Sequence, residues 1–202
     1  MFDPRVARRS LERYREKGLD RIAELMLASA ESQGLEDARV LEIGGGIGAL
    51  QSELLQAGAA SGEVVELVSS YEPFARELAE ERGIGERSSF RVTDVLERPD
   101  AVEAAEIVLL NRVVCCSPEG VRLTGIAARL SRRRLVLSFP RDRFLVRAGV
   151  RLANAWFCFR RQSFRVFLHP RPRLVAAAEA EGMRLVDAGN VALWEYVSLE
   201  RA

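Results

Sequence analysis

Apolar and polar residues follow two different periods along the middle of this chain. Short, nearly continuous apolar runs, typical of buried strands, are separated by segments in which apolar residues recur every three or four positions, as on one face of a helix. The runs predict strands at residues 39–43, 63–68, 89–93 and 106–110, with helices at 47–57 and 72–82 and a weaker one near 99–104. This alternation favours a parallel sheet covered by helices on both faces.

The two ends of the chain have a different pattern. Residues 4–31 have helical spacing, and Gly18 predicts a break between two helical pieces. Toward the other end, the pattern predicts helices at 118–130, 143–160 and 173–181 and strands at 134–139, 183–188 and 191–200. The dipeptide Gly189-Asn190 suits a tight turn between the last two strands. We therefore expect the parallel sheet to end in an antiparallel hairpin.

The size of the chain limits its organisation. With 202 residues, of which 48% are hydrophobic, it can bury one substantial core and has no room for a second full domain. We interpret it as one domain in four parts. These parts are N-terminal helices at 1–37, a core at 38–142, an inserted segment at 143–170, and a helix with the final hairpin at 171–202.

No part of the sequence predicts membrane insertion or export. It contains no run of about 18 uncharged apolar residues. Asp3, Arg5, Arg8 and Arg9 interrupt the place where a signal peptide would have its apolar core, so a cytoplasmic protein is expected. The three cysteines are odd in number and form no Cys-x-x-Cys pair, so we expect neither a disulfide framework nor a metal site.

The net charge of +1 conceals an asymmetry between the two halves. Before residue 111 there are 13 basic and 22 acidic residues, a net charge of 13 − 22 = −9. From residue 111 onward there are 17 basic and 7 acidic residues, a net charge of 17 − 7 = +10. The basic half could attract an anionic substrate, an anionic lipid surface or a nucleic acid, and the two halves could equally attract each other.

A glycine-rich turn follows the first predicted strand. Residues 40–50 form an apolar run that contains Gly44, Gly45, Gly46 and Gly48 and then continues into a helical pattern. Glycines leave the backbone bare, so a ligand can approach it closely, and the free amides of the next helix face the same cleft. We interpret the turn as the binding site of an adenosine-containing cofactor, against the alternative that it only makes a tight connection.

The glycine spacing alone does not decide which cofactor binds. Gly44-x-Gly46-x-x-Ala49 also satisfies the dinucleotide fingerprint. However, Glu42 places an acid beside the turn, where it would repel a pyrophosphate and suit a ligand that carries an ammonium group. A dehydrogenase also usually needs a second region to position its substrate, and this chain leaves little length for one. A cofactor without phosphate is therefore favoured.

Residues 40–50 resemble the first motif of the class I S-adenosylmethionine-dependent methyltransferases. The resemblance implies a three-layer, Rossmann-like α/β fold with about seven strands, the last of them antiparallel. It also implies S-adenosyl-L-methionine as methyl donor and S-adenosyl-L-homocysteine as product. Residues 13–20, which include Tyr14, resemble the cofactor-covering helices that precede the core in some members of this family.

The resemblance also assigns cofactor contacts to later residues. In this family the second strand ends in an acid that binds the ribose hydroxyls, and Glu66 matches it better than the alternative, Glu72. An acid after the third strand receives the adenine amino group. Asp94 matches that acid, and Val95 could supply an amide to the ring, although Asp94 could also be a turn or helix cap. Asn111 directly follows the fourth strand and is expected to face the cleft.

The acceptor side is less defined by sequence. Methyl transfer needs alignment and exclusion of water, and a base only for some acceptors. His169 is the one histidine and the candidate catalytic base, with a structural loop residue as the alternative. Arg112, Arg143 and Trp156 are the candidate substrate-binding residues, although Arg112 could also be a solvated loop residue.

The segment 143–160 has three interpretations. It could be a lid over a bulky apolar acceptor, a helix lying on a membrane surface, or an ordinary helix that covers the sheet. The lid is favoured over membrane contact because the apolar residues are not confined to a narrow face. Together with residues 137–140, the segment resembles the magnesium-protoporphyrin O-methyltransferase group, which suggests an anionic or aromatic small molecule.

We therefore expect a methyltransferase that acts on an oxygen, a hydroxyl or carboxylate, of a small molecule, with no nucleic acid as partner. The chain lacks the Asn-Pro-Pro-Tyr type of signature that many amino-directed nucleic-acid methyltransferases have. Three alternatives stay open at this point: a nucleic-acid methyltransferase, a nicotinamide-dependent oxidoreductase, and a cofactor-binding protein without catalysis.

Overall fold

The computed structural model describes residues 4–202, so Asp3 lies outside the described residues. Seven helices are formed by α1 (Pro4–Lys17), α2 (Arg21–Glu31), α3 (Ala49–Gln56), α4 (Glu72–Glu81), α5 (Gly120–Leu130), α6 (Phe144–Phe159) and α7 (Arg171–Glu179). Seven strands are formed by β1 (Arg39–Ile43), β2 (Ser61–Glu66), β3 (Ser88–Val92), β4 (Ala105–Asn111), β5 (Ser131–Pro140), β6 (Met183–Val191) and β7 (Trp194–Arg201). The predicted break at Gly18, which has a φ of 66°, separates α1 from α2.

The strands form one mixed sheet in the order β3-β2-β1-β4-β5-β7-β6. The first five strands along the chain pair in parallel, whereas β7 pairs antiparallel with both β5 and β6. The predicted seven-stranded, mostly parallel sheet with an antiparallel C-terminal strand is therefore confirmed. The strand order reverses between β1 and β4, and in sheets of this type the crevice outside the carboxyl ends of the strands at that point is the usual ligand site.

Helices cover both faces of the sheet and make three layers. Along β4, successive buried residues point to opposite faces: Ile107 packs with α2 and α3, and Val108 packs with α5 and α7. This is the pattern expected of a strand that is buried on both sides. On the α2 and α3 side, α1 packs against α4 through a further apolar cluster that includes Leu11 and Phe74. The first helix is thereby held near the glycine turn.

Two local predictions were wrong. Gly189 and Asn190 lie within β6, paired with Tyr196 and Glu195, and the hairpin turns two residues later, at 192–193. Gly189 is needed for another reason, because a Cβ there would lie 2.6 Å from the ring of Tyr196. The helix predicted near 99–104 is a single 3-10 turn, Pro99–Ala101, because β4 begins at Ala105 and leaves no room for a longer helix.

Helix α6 differs from the other helices in its packing. It follows β5 as an insertion before α7, and none of its residues is buried. Asn154 and Phe157 of this helix contact the loop that follows it, at Val166 and Phe164, before the chain returns to α7. This helix forms the outer part of the segment predicted as an insertion at 143–170.

Candidate functional site

The glycine turn between β1 and α3 is held against the neighbouring strand. The Gly44 N–H donates to the carbonyl of Val65 in β2 at 2.7 Å. Gly44 has a φ of 65°, and a Cβ added to it would lie 2.6 Å from a side-chain carbon of Val113. Both observations require glycine, because other residues rarely adopt this conformation and the neighbouring atoms leave no space. The backbone is therefore bare where the turn faces the crevice.

Glu66, the last residue of β2, connects this turn to the next loop. Its Oε2 accepts the Gly46 N–H at 3.1 Å, and its Oε1 accepts the N–H groups of Leu67 and Val68 at 2.8 and 3.2 Å. Burial raises the pKa of the carboxyl, whereas the three N–H donors oppose that rise. A carboxylate has about four acceptor positions. Glu66 thus keeps one position on Oε2 for a ligand hydroxyl.

A cavity of about 460 Å³ lies at the carboxyl ends of the strands, beside these groups. Its size falls in the range of roughly 300–1,000 Å³ that is usual for small-molecule sites. Seven of the residues predicted from sequence line it together, namely Gly44, Gly45, Gly46, Glu66, Asp94, Val95 and Arg112. The topology of the sheet therefore brings together the glycine turn, the acid at the end of the second strand and the acid after the third strand.

The residues after β3 form the far wall of the cavity. Asp94 Oδ1 accepts the N–H of Leu96 at 2.8 Å, which closes a short turn of the kind weighed as the alternative for this acid. Val95 is buried between the wall and the core. Asp94 therefore makes the turn and lines the cavity at the same time, and the two interpretations of this residue do not exclude each other.

Glu42 lies behind the glycine turn and does not line the cavity. The side chain is buried, and its Oε2 accepts the Gln51 N–H, in the first turn of α3, at 3.0 Å. A Cβ on Gly45 would lie 2.7 Å from the Glu42 carboxyl carbon. Burial raises the pKa of Glu42 to about 8. The acid is therefore largely protonated near neutral pH, so it holds the start of α3 and does not present a charge to a ligand.

Tyr14 and Gly48 also lie outside this cavity. The Tyr14 hydroxyl donates to Glu53 and accepts from Arg82 at 3.0 Å, and burial raises its pKa. Its side chain thus ties α1 to α3 and points away from the crevice. Gly48 lines a separate cavity of about 370 Å³ between α3, α4 and the end of the sheet at β3. From α1, Ser10 is the residue that lines the candidate site.

Asn111 and Arg112, at the end of β4, have partners within the protein. Asn111 Oδ1 accepts the Ser138 hydroxyl at 2.8 Å, which fastens β4 to β5, and it does not line the cavity. Arg112 has a φ of 61°, which places its side chain along the cavity wall. Its guanidinium lies 2.6 Å from Asp20 Oδ2 and 4.5 Å from the ring centre of Trp194. Arg112 thus joins the cap of α2 to the hairpin.

His169 supports the cavity from behind. Its side chain is buried, and Nε2 lies 2.9 Å from the carbonyl oxygen of Ser117, a residue of the cavity wall. Because a carbonyl can only accept, Nε2 carries a proton and donates it. A Cβ on Gly120 would lie 2.5 Å from this nitrogen, which shows how closely the ring is packed. The arrangement is that of a structural histidine that shapes the loop before α5.

Arg143 and Trp156 are exposed and do not line the cavity. The inserted segment reaches the site through another residue, Phe164, in the loop after α6. The Phe164 ring packs edge-on against Phe157 of α6, with 5.6 Å between ring centres. The loop, and not the helix, therefore forms the part of the insertion that a ligand in the cavity would meet.

Sequence reasoning missed several residues of the wall. Those of clearest chemical interest are Ser10, Tyr71, Cys116, Ser117 and Phe164. Tyr71 directly follows the loop that Glu66 begins, so its closeness to the second-strand acid was a usable signal. Cys116 and Ser117 come five and six residues after Asn111, so their position beyond the fourth strand was also a usable signal. Ser10 and Phe164 had no local signal, because they reach the site through the packing of α1 and of the insertion.

Within residues 4–202, no three histidine, cysteine, aspartate or glutamate side chains group in a way that could hold a metal ion. The cysteines in this range are all free, and of the adjacent pair Cys115 and Cys116 the second lines the cavity.

Solved structures similar to this one allow the fold to be identified. No protein-family model and no curated protein sequence matches the chain. Magnesium protoporphyrin IX methyltransferase (ChlM) from Synechocystis PCC 6803, solved with bound SAH, is 17% identical, with a TM-score of 0.73 over 90% of this chain and 82% of that one. A second structure of ChlM contains SAM.

Two further structures extend the comparison. An O-methyltransferase family 2 protein from Planctomyces limnophilus, in complex with apigenin, is 18% identical, with a TM-score of 0.72 over 100% of this chain and 62% of that one. The [4+2]-cyclase SpnF is 13% identical, with a TM-score of 0.67 over 90% and 80% of the two chains. At such low identity these likenesses show the fold alone. The chain has the fold of the class I S-adenosylmethionine-dependent methyltransferases.

Proposed function

We propose that this protein is an S-adenosylmethionine-dependent methyltransferase that acts on an oxygen of a small molecule. One observation carries the proposal. The carboxylate of Glu66 is fixed to the Gly46 amide at the rim of a cavity of about 460 Å³, with one acceptor position left for a ligand. An acid with a free acceptor position beside bare backbone, at the switch point of the sheet, supports the binding of a nucleoside.

The residues present fit the proposed cofactor. Its ribose hydroxyls would donate to Glu66, and its adenine would lie against Asp94 and Val95. The glycine turn, which lines the cavity with Gly44, Gly45 and Gly46, would hold the amino acid end. Support for this choice over a dinucleotide comes from the similar ChlM structures, which contain SAH and SAM.

S-adenosylmethionine supplies a methyl group on a positively charged sulfur, so the carbon is already activated. The protein then has to align the acceptor oxygen with that carbon and to exclude water. Val113, Leu123 and Phe164 give the acceptor side of the cavity an apolar wall, and Cys116 and Ser117 border it. Such a wall fits a flat or bulky apolar molecule whose reactive oxygen faces the turn.

The titratable groups of the cavity favour an acceptor that is already ionised. Glu66 and Asp94 both accept backbone N–H groups, and burial raises the pKa of Tyr71. Contact with the Cys115 thiol lowers the pKa of Cys116, whose thiol donates to the carbonyl oxygen of Arg112 at 3.5 Å. A carboxylate, or a phenol of low pKa, would need no base at all, and we propose an acceptor of this class.

The cofactor assignment can be tested by isothermal titration with S-adenosylmethionine and S-adenosylhomocysteine. We expect binding by the wild type and its loss in Gly46→Asp, which puts a second carboxylate beside Glu66. Gly149→Asp is the matched control, because Gly149 lies in α6 with open space around it and away from the cavity. Binding of a nicotinamide cofactor in place of S-adenosylmethionine would refute the proposal.

The reaction can be tested by the formation of S-adenosylhomocysteine with a panel of aromatic carboxylic acids, phenols and amines. We expect turnover with acids or acidic phenols and not with the amines of matched shape. Cys116→Ala and His169→Asn should both keep turnover with a carboxylate acceptor, because an ionised carboxylate has no proton for either side chain to remove. Product formed only with RNA would favour a nucleic-acid methyltransferase. Tight cofactor binding without product from any acceptor tested would favour a cofactor-binding protein without catalysis.

A further inference from the structure

Helix α6 presents a large apolar surface to solvent. Phe144, Leu145, Leu152, Trp156 and Phe159 are between 58% and 81% exposed, although each is a large hydrophobic residue. Trp156 and Phe159 stack on each other with 5.9 Å between ring centres. Single exposed hydrophobic residues are common on proteins, whereas a contiguous patch of this kind usually marks a surface that binds a partner or a membrane.

The five residues lie on one side of the helix. At about 100° per residue, they fall within an arc of roughly 120°. The opposite side is the one that packs inward. There the Asn154 side chain exchanges two hydrogen bonds of 2.8 Å with the backbone of Val166, and Phe157 contacts Phe164. The helix thus has two apolar faces, and these contacts turn the larger one outward.

The surroundings of the outer face are strongly basic. Residues 141–173 contain nine arginines and one acid, a net charge of 9 − 1 = +8. That acid, Asp142, is paired with Arg147 at 2.8 Å. By the same helical geometry, Arg147 and Arg151 border one edge of the apolar arc and Arg160 borders the other, where its guanidinium lies 5.8 Å from the ring centre of Trp156.

We propose that α6, with the arginines around it, docks on the surface of an anionic lipid bilayer. In that position the apolar arc enters the boundary between headgroups and acyl chains, and the flanking arginines meet the phosphates with their stems along the apolar side chains. In the described residues 4–202, no helix has the length and hydropathy needed to cross a bilayer, so docking lies in the plane of the interface.

The charges favour a bilayer over the other occupants. A second copy of this chain would bring two surfaces of like charge together. A nucleic acid could stack its bases on the aromatic residues, but it would leave Leu145 and Leu152 exposed to water. Closure of the helix as a lid would require its inner contacts to break, since the outer arc faces away from Phe164 and the cavity. An anionic bilayer would bury the apolar arc and would also provide phosphates for the arginines.

Co-sedimentation with lipid vesicles tests this proposal without any enzymatic assay. The full chain is mixed with vesicles of phosphatidylcholine, or of phosphatidylcholine with phosphatidylglycerol, and the bound fraction gives a partition coefficient. We expect partitioning to rise by about tenfold or more on the anionic vesicles, because each basic residue near the surface contributes several-fold. Salt should reverse that rise, since it screens the attraction.

Variants separate the apolar contribution to vesicle binding from the electrostatic contribution. Trp156→Glu with Phe159→Glu should lower partitioning by about tenfold or more, because two charges would enter the apolar boundary. Arg151→Gln should lower it by about fivefold, and Arg151→Lys should keep it. Leu193→Glu is the matched control: Leu193 is also a large hydrophobic residue, 61% exposed, but lies in the turn between β6 and β7, so partitioning should not change.

Three results would overturn the proposal. The first is equal partitioning on neutral and anionic vesicles, or none on either. The second is unchanged partitioning of the Trp156→Glu, Phe159→Glu variant, with its melting temperature showing that it is folded. The third is a wild type that sediments as a dimer in the absence of lipid and becomes a monomer in that variant, since a second copy would then occupy α6.

Discussion

Removal of the Glu66 carboxylate should weaken cofactor binding in a way that the structure allows us to calculate. Three of its roughly four acceptor positions are filled by the N–H groups of Gly46, Leu67 and Val68, which leaves one position on Oε2. A ribose hydroxyl would donate to that position. In Glu66→Ala this hydrogen bond is lost, and the Gly46 amide also loses the contact that fixes it to the end of β2.

The size of the effect follows from the type of bond. A hydrogen bond to a charged group contributes about 1.5–3 kcal/mol. The dissociation constant of S-adenosylmethionine should therefore rise by roughly 10-fold to 150-fold. Glu66→Gln should not restore binding, because the amide NH2 replaces an acceptor where the backbone offers only donors. Since burial raises the pKa of Glu66, affinity in the wild type should also fall as the pH drops through that pKa, and this pH dependence should disappear in Glu66→Gln.

Isothermal titration of the wild type and both variants, with melting temperatures to confirm folding, provides the assay. Glu72→Ala is the matched control, since Glu72 is the other acid near the end of β2. Its carboxylate pairs with Arg76 at 2.8 Å and does not line the cavity. A dissociation constant that changes less than about threefold in Glu66→Ala would refute the reasoning, because even one charge-assisted hydrogen bond predicts more. An equal loss in Glu72→Ala would also refute it.

Three further predictions concern the surroundings of the cavity. Burial raises the pKa of Glu42 to about 8 from an ordinary 4.5, so protonation of Glu42 favours the folded state. This stabilisation is fully present below pH 4.5 and is lost as the pH rises through 8. Between pH 4.5 and 8, the free energy of unfolding of Glu42→Gln, measured in urea, should therefore rise by up to about 4 kcal/mol relative to that of the wild type. Gly44→Ala should weaken cofactor binding measured by titration, because its Cβ would lie 2.6 Å from a valine side chain, whereas Gly149→Ala should not. Arg112→Gln and Asp20→Asn should each speed limited proteolysis between α1 and α2 and weaken cofactor binding, because the ion pair that joins them holds α2 to the core.

The alternation of strands and helices could be predicted because each central strand is buried on both faces and reads as an apolar run. The direction of the last strand was also predictable, since a short link leaves two strands no choice but to run antiparallel. The position of that link could not be predicted from the sequence. Gly189 lies in β6 because the ring of Tyr196 needs the space, a contact seven residues away in sequence, whereas the turn itself uses Ala192 with a φ of 50°.

Individual residues of the cavity could be predicted where a particular residue type is required at the end of a particular strand. Gly44 and Asp94 follow β1 and β3, Glu66 ends β2, and the parallel sheet brings these strand ends together. The direction of a side chain could not be predicted in the same way. Glu42 lies one residue before the last residue of β1, and strand alternation together with the bond to α3 turns it behind the glycine turn. Tyr14 lies on the buried stripe of α1, but its partners are in α3 and the residue that follows α4.

The charge asymmetry of the sequence allowed either attraction between the two halves or an anionic partner. Arg112–Asp20 and Arg132–Glu106 are ion pairs that join the halves. Other basic residues of the second half, such as Arg171, pair with acids of their own half. Attraction between the halves therefore accounts for few of the 17 basic residues found from residue 111 onward. Nine of them lie at 141–173, where Asp142 pairs with Arg147 and Glu195 pairs with Arg171. The excess basic charge is therefore concentrated in the segment that carries the exposed arc of α6.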